Sequence, residues 1–267
     1  MSGAVTGAGA GARAVTPGLP VVLLHALPLS SAMWQAQATA LRERGHTVIV
    51  PDQRGFGAEP LGDQPPSLDT VADDLAARLD ALGHPQVALV GCSMGGYAAM
   101  AFLRRHRHRV GALALLATRA TADTPEQAAG RRAFAALVVD DDRRDELITR
   151  TTPLLLGATT KAERPGTLAE VLAWSRAADP RAVAWAQEAV ATRPDSVEVL
   201  RATDVPALVA IGTEDELVTV DEAALTAGSL PQGRLVTVPG AGHLQPLEAP
   251  ELTTRLLTTL LDGDGTR

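Results

Sequence analysis

The sequence predicts an α/β fold, a doubly wound and mostly parallel sheet, on three observations. Short runs of valine, leucine and alanine alternate with longer segments of helical periodicity. The short runs are apolar throughout, as strands buried on both faces must be. One of them ends in a glycine-bounded turn that opens directly into a helix. With 267 residues and 46% apolar content, the chain has the length of one large domain and ample material for its core.

Taken in order, residues 1–19 carry few large side chains and are expected to form a flexible tail. They contain no apolar stretch of the kind a signal peptide needs. Residues 21–25 then read as the first strand and 33–44 as a helix. Further strands are expected at 46–50, 87–92, 110–116, 205–211 and 234–238. Helices are expected at 68–82, 94–106, 221–230 and 248–261. Six strands joined by helices imply right-handed crossovers and a parallel sheet. A leading hairpin is either absent or supplied by the poor strand sequence of residues 5–15.

The rhythm breaks between residues 119 and 203, where no strand is evident but helix starts recur. Thr124-Pro125-Glu126-Gln127 and Thr167-Leu168-Ala169-Glu170 both read as capping boxes, and Asp179-Pro180 places a cap before a first-turn proline. Asp140-Asp141-Asp142, followed by Arg143 and Arg144, reads as a further helix start rather than a cation site. Residues 119–203 are therefore expected to be a helical cap inserted into a core made of 20–118 and 204–267. The insertion holds Phe134, Trp174 and Trp185, three of the chain's seven aromatic residues. They are candidates for lining a substrate pocket, the alternative being that they only fasten cap to core.

Charge and cysteine content narrow the class. A net charge of −7 argues against a phosphate-reading surface, so no nucleic-acid partner is expected. The basic run Arg104-Arg105-His106-Arg107-His108-Arg109 closes a helix, where cations offset the dipole. Cys92 is the sole cysteine, which rules out an intrachain disulfide and suits a reducing, cytoplasmic location. Its alternating position on a strand directs the thiol away from the neighbouring turn, making it a packing residue. No stretch has the length to cross a bilayer, so no membrane partner is expected. The expected partner is a small-molecule substrate, bound by a monomer or homodimer.

The chemistry enters with Gly91-Cys92-Ser93-Met94-Gly95-Gly96, between the apolar run Val87-Ala88-Leu89-Val90 and a helix-forming segment. A serine on so sharp a turn has a strained backbone, and residues two before and two after must be small. The turn aims backbone N–H groups and a helix start at any oxyanion formed beside Ser93. A serine hydroxyl is a weak nucleophile and needs a base. Among six histidines, His243 stands apart: Pro239-Gly240-Ala241-Gly242-His243 follows the last strand, at the sheet edge where α/β proteins place ligands. An acid belongs between Ser93 and His243 if the chain order serine, acid, histidine applies. Glu214, Asp215 and Glu216 compete for that role at the end of the 205–211 strand.

These motifs resemble those of the α/β-hydrolase superfamily, over nearly the whole of residues 20–261. His25-Ala26-Leu27-Pro28 is similar to its His-Gly-x-Pro turn, and Asp52-Gln53-Arg54-Gly55-Phe56-Gly57 to its Asp-x-Arg-Gly-x-Gly loop. Gly212-x-x-Asp215 looks like its acid turn and Gly240-x-Gly242-His243 like its histidine loop. Within the superfamily the chain most resembles small-capped bacterial esterases, enol-lactonases and cofactor-free haloperoxidases. The resemblance implies Ser93, Asp215 and His243 as catalytic residues, with Glu214 and Glu216 as solvated charges. It also implies the amides of Leu27 and Met94 as oxyanion donors, His25 near the substrate, and a Leu27–Pro28 peptide that is often cis. Ala26 departs from the usual glycine and narrows the backbone freedom beside Leu27.

The reading that follows is a serine hydrolase acting on a carboxylic ester or lactone of a small, largely apolar substrate, with no metal or organic cofactor. The same triad would also suit C–C bond hydrolysis, perhydrolysis or a biosynthetic cyclisation. A small-molecule receptor with this fold is the rival of another class, and covalent labelling by a fluorophosphonate distinguishes the two.

Overall fold

The computed structural model describes Val15 and residues 18–262. Six strands, β1 (Val21–Leu24), β2 (Val48–Ile49), β3 (Val87–Cys92), β4 (Val110–Leu116), β5 (Ala207–Gly212) and β6 (Gly233–Val238), form one sheet in the order β2-β1-β3-β4-β5-β6. Every neighbouring pair is parallel, with Val21 opposite Ala88 and Leu113 opposite Ala207. The order steps outward in both directions from β1 and β3, so helices cover both faces.

Helices α1 (Gln35–Glu43), α2 (Leu68–Ala81) and α3 (Met94–His106) flank the sheet and are joined, later in the chain, by the helix over Val220–Gly228 and by the C-terminal helix, both described below. Strand alternation divides the core in two. Val22, Leu24, Val87 and Leu89 pack with α2 and α3, while Val21, Leu23, Ala88 and Val90 pack with Trp34, Ala38 and Leu41 on the other face. Each buried leucine contributes about 1.5–3 kcal/mol, so both faces bind their helices strongly. Arg105 meets Asp73 through two 2.7 Å hydrogen bonds, and Arg104 pairs with Asp69. The basic run therefore also fastens α3 to α2.

Between β4 and β5 lie α4 (Pro125–Val138), α5 (Asp141–Thr151), α6 (Ala158–Glu163), α7 (Pro165–Ala177), α8 (Pro180–Ala191) and α9 (Val197–Arg201), with no strand. Thr124 caps α4 in a reciprocal box with Gln127, and Asp140 caps α5 by accepting from the Asp142 amide at 3.0 Å. The second expected box is not one. Pro165 starts α7, which leaves Thr167 inside its first turn. After β5 come α10 (Val220–Gly228), α11 (Gln245–Glu248) and α12 (Pro250–Asp262). The single helix expected over 248–261 is interrupted because Pro250 lacks an N–H and Ala249 leaves helical geometry.

The tail expectation is corrected at its end: Val15 and Leu19 are each 8% exposed and belong to the core. The rest of it, and all of the possible leading hairpin but Val15, fall outside the described residues. The second strand shrinks to two residues because it is an edge, paired only through Val48 and Ile49 to β1.

Candidate active site

The turn after β3 places Ser93 at φ 52° and ψ −115°, a left-handed backbone that costs a non-glycine residue of order 1–3 kcal/mol. The surroundings hold it there. The Ser93 amide donates to the Leu116 carbonyl at 2.8 Å, while its own carbonyl accepts from Gly96 at 2.9 Å and Tyr97 at 3.1 Å. A Cβ on Gly91 would lie 2.2 Å from the Gly95 oxygen, and one on Gly95 would lie 2.2 Å from the Leu24 oxygen. The small residues are required because α3 starts in contact with β1 and β3.

His243 Nε2 lies 2.7 Å from Ser93 Oγ. Its Nδ1 faces Asp215 at 3.0 Å from Oδ1 and 2.9 Å from Oδ2. A carboxylate can only accept, so Nδ1 carries the proton and Nε2 is free to accept from the serine hydroxyl. Asp215 is fixed in turn by the amides of Leu217 at 2.8 Å and Val218 at 3.1 Å, both donating to Oδ1. The Asp215 side chain is fully buried, which keeps this pair out of competition with water.

The amides of Leu27 and Met94 donate to no acceptor within the described residues, and both residues line the cavity beside Ser93. The Leu27–Pro28 peptide is cis. Ala26 is unstrained, since Ser93 and Ala117 alone among described non-glycine residues have positive φ. Its side chain is fully buried, and its amide reaches Met33 Sδ at 3.2 Å.

His25 does not touch the cavity. It is fully buried; Nδ1 meets the Ala26 carbonyl at 3.0 Å, and Nε2 accepts from the Gln53 amide at 2.9 Å. Burial holds its pKa down at about 4, with the Ala26 carbonyl opposing the shift. Its role is to join the Leu27 loop to the loop after β2, where Asp52 accepts from Ser31 at 2.7 Å and Arg54 grips Asp74 at 2.9 and 2.8 Å. The Asp-x-Arg-Gly-x-Gly motif is thus loop architecture.

A cavity of about 390 Å³ opens over Ser93 and His243. Phe134 lines it, with Val138, Ile148, Val183, Leu217 and Val218. Trp174 and Trp185 do not. Trp174, on α7, packs against the core cluster that holds Leu156 and Val171, and Trp185, on α8, packs against the cluster that holds Ala182 and Ala186, with its indole N–H donating to the Gln64 carbonyl at 2.8 Å. Both tryptophans are corrected to packing residues. Cys92 is buried, its Sγ 3.7 Å from the His243 carbonyl, and burial pushes its thiol pKa well up.

Three features escaped the sequence reading. Glu214 is not a free surface charge: its carboxylate takes the Thr159 hydroxyl at 2.6 Å and amide at 2.8 Å, which lower its pKa. Glu248 accepts from Leu244, next to His243, at 2.8 Å and from Gly157 at 2.7 Å. Asp123, whose side chain is fully buried, gathers Arg119, Arg131 and Arg193. The contacts that matter most, Glu214 with Thr159, Glu248 with Gly157 and Asp123 with Arg193, join distant segments and give no local pattern to detect. Among the described residues no group of three or more His, Cys, Asp or Glu could hold a metal ion, and no helix is long and apolar enough to cross a membrane.

A strained serine turn at the carboxyl edge of a parallel sheet, facing a histidine and a buried carboxylate, defines a hydrolase class. The chain belongs to the family described as alpha/beta hydrolase fold, whose model matches residues 20–250. It is similar to a thermophilic esterase from Thermogutta terrifontis solved with malate bound, at 36% identity and TM-score 0.88, covering 95% of this chain and 93% of that one. The enol-lactonase of Burkholderia xenovorans LB400 is 26% identical, with TM-score 0.82 and 91% of each chain covered. A non-heme haloperoxidase of Rhodococcus erythropolis is 30% identical over 237 residues, 85% of this chain and 86% of that protein. The protein is a hydrolase of this family.

Proposed function

We propose that the protein hydrolyses a carboxylic ester or lactone of a small, largely apolar substrate through an acyl-enzyme. The observation that carries this reading is the continuous relay from Ser93 Oγ through His243 to the buried Asp215. Ser93 Oγ attacks the substrate carbonyl while His243 Nε2 takes its proton, and Asp215 stabilises the imidazolium and fixes its tautomer. The carbonyl oxygen becomes an oxyanion, received by the unoccupied amides of Leu27 and Met94. His243 then returns the proton to the departing alkoxide. Water, activated by the same histidine, attacks the acyl-serine and releases the acid. In a lactone the alkoxide remains tethered, so one hydroxy-acid leaves.

The enclosing wall around Phe134 and Ile148 suits an apolar acyl or alkyl body. The esterase and enol-lactonase likenesses support the same chemistry. The test is labelling of Ser93 by a fluorophosphonate together with a hydrolysis screen over 4-nitrophenyl acyl esters and simple lactones. Labelling with turnover of either class supports the reading. A chain that neither labels nor turns over any of them is a binding protein on a hydrolase fold.

A further inference from the structure

The cavity wall has an unusual charge balance. The chain as a whole carries 31 acidic and 24 basic Lys and Arg residues, yet the residues facing this cavity include Arg119, Arg131 and Arg144 and not one carboxylate. Arg144 is neutralised locally by Asp141. Arg119 and Arg131 belong to the cluster around Asp123. Arg119 reaches Asp123 at 2.6 Å and Glu222 at 3.3 Å, Arg193 reaches Asp123 at 2.8 Å, and Arg131 Nε also points to Asp123. Three guanidinium groups thus face two carboxylates, and one positive charge is left over beside the cavity.

The surplus falls on Arg131. Its Nε is used by Asp123 and its Nη1 by Gln187 at 3.1 Å, but Nη2 donates to no acceptor among the described residues. Arg193 is turned away, stacked 3.9 Å from the centre of the Tyr97 ring and bound to the Val190 and Thr121 carbonyls. The two groups that hold Arg131, Asp123 and Gln187, prevent it from swinging out to solvent. Arg131 lines the cavity with its side chain 25% exposed, and a guanidinium held at two nitrogens with the third unused is an anion receptor.

We propose that the substrate carries a carboxylate at the end remote from the scissile carbonyl, received by Arg131 with Arg119 behind it. This rests on the ester or lactone hydrolase reading and narrows it: an apolar body along Phe134 and Val138, a reacting carbonyl at Ser93, and an anionic terminus. The anion neutralises the surplus charge and fixes the position of the carbonyl, so its effect falls mainly on KM.

The test compares two series on the intact protein: mono-4-nitrophenyl esters of straight-chain α,ω-diacids from four to eight carbons, and the same esters with the far carboxylate replaced by a carboxamide. The expected result is a kcat/KM advantage of about 10- to 100-fold for the carboxylate at one chain length, carried mostly by KM. Arg131→Gln should collapse that ratio, and Arg131→Lys should restore part of it. Equal rates for the two wild-type series overturn the carboxylate inference while leaving the esterase reading in place. No turnover in either series, with Ser93 unlabelled by fluorophosphonate, overturns both. The wild-type ratio decides alone if Arg131→Gln does not fold.

Discussion

Asp215 presents both carboxylate oxygens to His243 Nδ1, at 3.0 and 2.9 Å, while Oδ1 also takes the Leu217 and Val218 amides. This shared oxygen makes Asp215→Asn informative. The asparagine carbonyl will stay with the two amides and turn its NH₂ toward Nδ1, which forces the proton onto Nε2 and leaves Ser93 without a base. The expected loss in kcat is about 10⁴-fold with little change in fold, checked by steady-state kinetics and circular dichroism.

Ser93→Ala and His243→Ala should each lower kcat by about 10⁴- to 10⁶-fold. In the proposed mechanism the two groups act as one unit, so the double variant should be scarcely worse than either. Multiplicative losses in a kinetic double-mutant cycle would refute the relay.

Gly95→Ala places a Cβ 2.2 Å from the Leu24 oxygen and 2.9 Å from the His25 oxygen, both backbone atoms that cannot step aside. It should cost about 3 kcal/mol or more of stability and most of the activity. Gly130, inside α4, has nothing within 4 Å of an added Cβ, so Gly130→Ala should gain about 0.5–1 kcal/mol. Guanidinium unfolding of the two variants measures the contrast.

His25 gives a pH dependence of definite sign. The unfolded chain takes up a proton near pH 6.5, whereas the folded chain refuses it until about pH 4, so this group's stabilisation is present above 6.5 and declines as the pH falls to 4. The whole decline amounts to about 3 kcal/mol. Denaturation midpoints from pH 7 to 4.5 should fall more steeply in the wild type than in His25→Asn. Asp123, held at about 2 by Arg131 and Arg193 against the opposing effect of burial, acts in a lower window, below its ordinary 3.8.

Phe134→Ala should reorder kcat/KM across short and long acyl esters, since the ring lines the cavity. Trp185→Ala should leave that order intact and lower stability by about 1–3 kcal/mol through lost packing and the lost bond to Gln64. A changed order in Trp185→Ala would return this tryptophan to the substrate wall.

The parallel sheet was legible because its strands are continuous apolar runs. The serine turn was legible because Gly91 and Gly95 answer a steric demand within five residues. His243 and Asp215 needed only chain order and loop glycines in addition. What stayed hidden depends on contacts across the fold. His25 reads as a site residue until the Gln53 amide is seen to occupy its ring. The tryptophans read as pocket residues because aromatic scarcity says nothing about which helix face looks inward. The arginine cluster joins residues 119, 123, 131 and 193, whose partnership no local window contains.

Glu248 bridges the Leu244 amide, next to His243, and the Gly157 amide of the segment between β4 and β5. A chimera that imports the 119–203 segment from another hydrolase inherits this bridge only if an amide arrives where Gly157 stands. Without it, one oxygen of a carboxylate only 6% exposed loses its partner, while the other still holds the amide next to His243. A graft of residues 119–203 must therefore carry residue 157 in register with residue 248, or the loop that holds His243 will lose one of its supports.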